Sequence, residues 1–120
     1  MIKIINKKID PDEFKMLLDK EFGDMVKVVV DVKRGIVALG GDLHSDAEKL
    51  MIEKGCVREN LWGANVYPFN EPDDRIEYVA LINIRPRQNN PSMEIKSHEI
   101  RNKVKFYIEK FIVGRDERLV

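Results

Sequence analysis

The spacing of apolar residues along this chain changes several times, and each change predicts a new element. Ile2 to Ile5 is a short apolar run that reads as a strand. Asp10-Pro11-Asp12-Glu13 then supplies an N-cap, a proline at the first helical position and acids against the helix dipole. A helix should follow, with Phe14, Leu17, Leu18 and Phe22 on one stripe and Gly23 placed to end it. Val26, Val28, Val30 and Val32 next alternate with Met25, Lys27, Asp31 and Lys33, a strand with one buried and one wet face whose polar series only Val29 breaks. Arg34-Gly35 turns the chain into a partner strand, Ile36 to Leu39, because glycine accepts the left-handed conformation that a tight hairpin demands.

Ser45-Asp46-Ala47-Glu48 fits a capping box, so a second helix is expected from there, with Ala47, Leu50 and Met51 on its apolar face and Lys54-Gly55 at its end. Leu61 to Tyr67 and Ile76 to Ile84 read as two further strands around the turn-rich segment Pro68 to Asp74. In the later one, both faces carry apolar residues, which predicts a central place in the sheet. After the polar loop Pro86 to Pro91, Ser97 caps a last helix with Ile100, Val104, Tyr107, Ile108 and Phe111 in one stripe and Gly114 beyond it. The expected class is therefore α+β, a mainly antiparallel sheet of about five strands with three helices on one face. The order β-α-β-β-α-β-β-α begins as a ferredoxin-like plait does and adds a strand and a helix.

Composition sharpens this picture little. The 120 residues suit one domain, read as residues 1–114, followed by a charged tail at 115–120 that should fray. Basic and acidic residues number 21 each and the pI is about 6.7, so no long-range field recruits nucleic acid or an anionic membrane. Dense, balanced charge resembles thermophile composition, although several Asn residues oppose that reading. Cys56 is the lone cysteine, which favours a reducing, cytoplasmic setting and a thiol that acts as a small hydrophobe. No apolar run approaches the ~20 residues of a membrane helix, and the opening residues do not read as a secretory leader.

Three polar clusters could carry chemistry. Gly40-Gly41-Asp42-Leu43-His44-Ser45-Asp46 feeds a helix N-terminus, where Asp42 or His44 could act as base, and Asp42, His44 and Asp46 could bind a metal through mixed nitrogen and oxygen donors. The same residues also suffice for a turn and a helix start, with Asp46 and Glu48 serving the dipole. Trp62-Gly63-Ala64-Asn65 could cradle a planar ligand, or Trp62 could anchor the core. Asn83, Arg85 and Asn90 complete the candidate ligand-binding set, with Arg85 as a bidentate anion clamp unless an acid of the glycine loop takes it. On the last helix, Arg101, Lys103, Lys105 and Lys110 are interspersed with Glu99 and Glu109, which fits a solvated face better than a nucleic-acid surface.

The segments Gly41 to Glu48, Leu61 to Pro68 and Leu81 to Pro86 resemble a family of short prokaryotic proteins described only as a domain of unknown function. The resemblance implies a stand-alone domain and transfers no chemistry. Two functional expectations follow from the residues. The first is a pocket for a small polar or anionic ligand or a metal, in a binding protein or small enzyme with no cofactor specified. The second is an interaction module, such as a homodimer, with Trp62, Tyr67 and Phe69 as its contact patch.

Overall fold

A computed structural model describes residues 1–21 and 23–119. The elements are β1 (Ile2–Ile5), α1 (Pro11–Lys20), β2 (Val26–Asp31), β3 (Ile36–Gly40), α2 (His44–Glu53), β4 (Leu61–Val66), β5 (Ile76–Glu77) and α3 (His98–Phe111). This is the expected α+β order. Phe22, the last position of the stripe predicted for α1, lies outside the described residues.

The local signals act as their chemistry requires. Asp10 accepts from the Asp12 amide at the head of α1, and Ser97 accepts from the Ile100 amide at the head of α3. At the β2–β3 turn, Asp31 Oδ1 accepts from the amides of Lys33 at 3.0 Å and Arg34 at 2.8 Å. Gly35 holds φ +70° there, and a Cβ on it would meet the Tyr107 ring at 2.8 Å. α2 departs by two residues. It begins at His44 with Leu43 as an N-cap that gives no side-chain bond, so the Ser45–Glu48 capping box does not form.

The sheet is antiparallel throughout, in the order β1-β3-β2-β4-β5. The first three strands lie as in a ferredoxin-like plait, with β3 between the parallel pair β1 and β2. β4, however, pairs with β2 and does not return beside β1. Each helical crossover, β1-α1-β2 and β3-α2-β4, therefore moves the same way across the sheet, while β1 and β3 run in opposite directions. Right-handed crossovers then require α1 and α2 on opposite faces.

Packing agrees with that requirement and corrects the expectation of helices on one face only. Phe14 and Leu18 of α1, with Val104 and Ile108 of α3, bury Val26, Val28, Val30 and Trp62 on one side. Ala47 and Met51 of α2 cover Val29, Ala38 and Leu61 on the other. Val29, the apolar exception in an otherwise polar series, is thus the residue beneath α2.

Two further expectations change. The run Ile76 to Ile84 pairs as a strand for only two residues and forms an edge, not a central strand; a 3₁₀ turn at Leu81–Asn83 follows. The segment after α3 is also held in place. The buried Arg75 guanidinium donates from Nε to Asn70 O (3.1 Å), from Nη1 to Gly114 O (2.9 Å) and Arg115 O (3.5 Å), and from Nη2 to Glu117 O (2.6 Å), and Leu119 is buried. No helix among the described residues is long and apolar enough to cross a membrane.

Candidate functional site

The outer edge of β4 explains most of the polar residues that the sequence singles out. Beyond Asn65, which pairs with Glu77 of β5, no strand among the described residues covers that edge. Side chains cover it instead. Asn83, fully buried, accepts from the Gly63 amide at 2.8 Å and donates back to Gly63 O at 3.0 Å and to Met93 O at 3.0 Å. Two residues back along β4, Arg85 Nη2 donates to Leu61 O. A carboxamide and a guanidinium thereby replace the backbone of a missing strand and satisfy groups that burial would otherwise leave costly.

Arg85 has little left for an anion. Its Nε donates to Ile82 O at 3.0 Å, its Nη1 to Arg58 O at 2.8 Å, and Glu48 of α2 meets Nη2 at 3.3 Å. The guanidinium also lies 4.6 Å from the centre of the Trp62 ring. Asn90 in turn fixes the loop: it donates to Asn83 O (2.7 Å), Ser92 O (3.0 Å) and Glu94 O (3.0 Å), and accepts from the Lys96 amide at 2.9 Å. In the fold, Asn83, Arg85 and Asn90 work as framework, because backbone carbonyls already take the donors that a ligand would need.

A cleft of about 340 Å³ opens beside this framework, on the sheet face that α2 covers, at the N-terminal end of that helix. Lys27 of β2 and Asn65 of β4, direct cross-strand partners, line its floor. Leu43, His44 and Ser45 form one wall, and Val79 to Ile82 with Met93 form the other. Leu43, Leu81 and Met93 are exposed at 54%, 71% and 41%, so the mouth carries apolar side chains that the core does not use.

Gly63 makes the close approach of these walls possible. A Cβ there would stand 2.6 Å from the Ala80 Cβ and 3.2 Å from His44 Cδ2. His44 settles over the strand with Nε2 2.8 Å from Ala64 O. A carbonyl can only accept, so Nε2 carries the proton and the neutral ring keeps its lone pair on Nδ1. Burial pulls the His44 pKa below its ordinary value. The Ala64 carbonyl opposes this, the Lys27 ammonium adds to it, and the Asn65 side chain opposes it more weakly.

Asn65 donates to Glu77 Oε1 at 2.7 Å and to Val79 O at 3.5 Å, which fixes the orientation of its amide. Its Oδ1 is enclosed without a hydrogen-bond partner: it stands near enough to the imidazole to favour the charged ring, yet outside hydrogen-bond geometry.

Of the residues named from sequence, His44 and Asn65 converge although 21 positions apart. Asp42 and Asp46 are exposed and do not line the cleft. Among the described residues, no group of three His, Cys, Asp or Glu side chains is placed to hold a metal, so the set Asp42, His44 and Asp46 is not assembled. Trp62 is 1% exposed and packs with the α1 and α3 side of the core, which removes it both from a ligand wall and from a surface patch. Phe69 is exposed at 51%, at the turn after β4. Burial raises the Cys56 thiol pKa and Asp31 adds to the effect, in keeping with an unreactive cysteine. Lys27 escaped sequence reasoning because its place opposite Asn65 depends on the β2–β4 register, for which neither strand carries a local mark.

Fold and site together define a small α+β domain: a five-stranded antiparallel sheet with helices on both faces and a polar-floored cleft at one helix end. The chain belongs to the family described as "Protein of unknown function (DUF5674)", whose model matches residues 3–111, from β1 to the end of α3. No curated protein and no solved structure matches it. Membership carries no activity with it.

Proposed function

We propose that this domain binds a small molecule in the cleft between the start of α2 and the segment Val79 to Ile82. The observation that supports this best is the meeting of His44 and Asn65 over a floor that contains Lys27, beneath a mouth of exposed apolar side chains. Pockets for small ligands are commonly concave and mostly apolar, with a few polar groups that fix orientation, and span about 300–1,000 Å³. This cleft is at the small end of that range, so the ligand is small.

Binding is favoured over bond-breaking chemistry. The His44 Nε2 proton is committed to Ala64, and the guanidinium that could have stabilised a developing anion is committed to carbonyls. What remains is a neutral imidazole suited to accepting one hydrogen bond and an apolar surface suited to holding a short hydrocarbon body.

Titration of ¹⁵N-labelled protein with a panel of small amphiphilic molecules tests the reading. Saturable shifts should gather at His44, Ser45, Asn65, Leu81 and Met93, and Leu81→Asp should weaken them. Shifts confined to α1 or α3, or no saturable shift with any member of the panel, would count against it.

A further inference from the structure

The two borders of the sheet differ. Side chains close the flank beside β4, whereas β1 is the outermost strand of the other flank and pairs only with β3. Among the described residues, no hydrogen bond reaches the outward amides and carbonyls of Ile2–Ile5. Alternate residues of such an edge direct an N–H and a C=O outward, and an extended chain satisfies them in one ladder.

Beside this edge, β1 and α1 enclose a groove of about 320 Å³. Met1 and Met16, exposed at 82% and 63%, line it together with the ion-paired Lys3 and Glu13 and the exposed Lys20. Glu13, Met16 and Lys20 fall at i, i+3 and i+7, one stripe of α1 along the groove. The stripe is acidic at one end, basic at the other and apolar at its centre. Turned end for end, it is complementary to itself.

We propose that a second copy of this chain docks on this edge, β1 against β1 in antiparallel, which joins the two sheets into one. A two-fold axis near Lys3 and Met16 sets Met16 against Met16 and places Glu13 of each copy beside Lys20 of the other. Glu13 then bridges its own Lys3 and a cation of the second copy. On the opposite face of the sheet, Ile2 meets Ile4 across the axis; both are partly buried and already border the core under α2. An unrelated strand would find the same ladder, but a second copy also brings α1 alongside with its charges reversed. A four-residue strand and one helical stripe make a small interface, so the dimer should be weak, with a Kd on the order of 10–100 μM.

Sedimentation velocity of the full chain from about 5 to about 500 μM tests this. The mass should climb from the 14.0 kDa of one chain towards double, and the outward amides of β1 should exchange more slowly as concentration rises. Lys20→Glu and Glu13→Lys should each weaken association by roughly three- to tenfold, because like charges then face one another twice; circular dichroism verifies that both fold. Mixed in equal amounts, the two variants should recover native-like association, since every Glu then faces a Lys. A chain that stays at 14.0 kDa throughout overturns the proposal. So does association that both variants and their mixture leave unchanged, or that Phe69→Ser abolishes, because the contact then lies elsewhere. Slow β1 amides in a chain that never dimerises would show the edge closed from within and overturn it as well.

Discussion

Replacing Asn83 tests the account of the β4 edge most directly. In Asn83→Ala the Gly63 amide loses its acceptor, and Gly63 O and Met93 O lose their donor, all at a fully buried position. Orphaning a buried polar group costs about 1–3 kcal/mol, and partial relaxation or water entry recovers some of it. A loss of roughly 3–5 kcal/mol is therefore expected, a large share of the ~5–15 kcal/mol typical of a domain. Urea unfolding should show it as a midpoint lowered by about 1.5–3 M at unchanged slope. Asn83→Asp separates bonding from volume. It keeps an acceptor for the Gly63 amide but turns an oxygen towards Gly63 O and Met93 O, so it should cost at least as much as the alanine. Exchange of the Gly63 amide should quicken in both variants. A loss under about 1 kcal/mol in Asn83→Ala, with that amide still slow to exchange, would refute the reasoning.

Gly63→Ala should destabilise by about 1–3 kcal/mol and disturb the His44 resonances, since the new methyl would overlap the Ala80 Cβ; calorimetry with a ¹⁵N spectrum checks both. Because the folded-state pKa of His44 lies below the ordinary histidine value of 6.5, the unfolded chain takes up the proton first, and stability from this group falls as pH drops through 6.5 towards the folded value. Urea midpoints across that window should fall more steeply for the native protein than for His44→Gln; parallel curves would remove the effect. Arg75→Met should cost roughly 2–4 kcal/mol and speed amide exchange in residues 114–119, because four carbonyls lose their donor together. Unchanged exchange there would show that Leu119 and the surface ion pairs suffice to hold the segment.

What could be read from the sequence follows the range over which each signal acts. The capped starts of α1 and α3 and the strand period of β2 depend on neighbours within a few residues and form as their patterns say, whereas the face of β2 expected to be wet is largely buried, with Val29 beneath α2. The α2 start slipped by two residues because a serine–glutamate box competes with tertiary demands on Glu48, which pairs instead with Arg85 at 3.3 Å. Strand order and the face taken by α2 depend on which strand β4 joins, a choice written in no single segment. The polar residues mislead for a physical reason. A carboxamide that could bind a ligand's amide binds the Gly63 backbone equally well, and a guanidinium fork that could grip a carboxylate grips carbonyls. Residue type announces the kind of bond, not its recipient. His44 and Asn65 differ in that they line the cleft, where Asn65 Oδ1 is enclosed without a hydrogen-bond partner among the described residues.

The side-chain closure of β4 also bears on how the molecule meets others of its kind. A strand bordered by another strand offers a repeating template that a third can copy, and runaway pairing of this sort seeds fibrils. Along the Leu61–Gly63 stretch, an approaching chain finds an amide and a guanidinium already joined to the main chain, with no ladder to extend. The sheet stops growing on that flank by chemistry, where other proteins rely on a bulge or a proline.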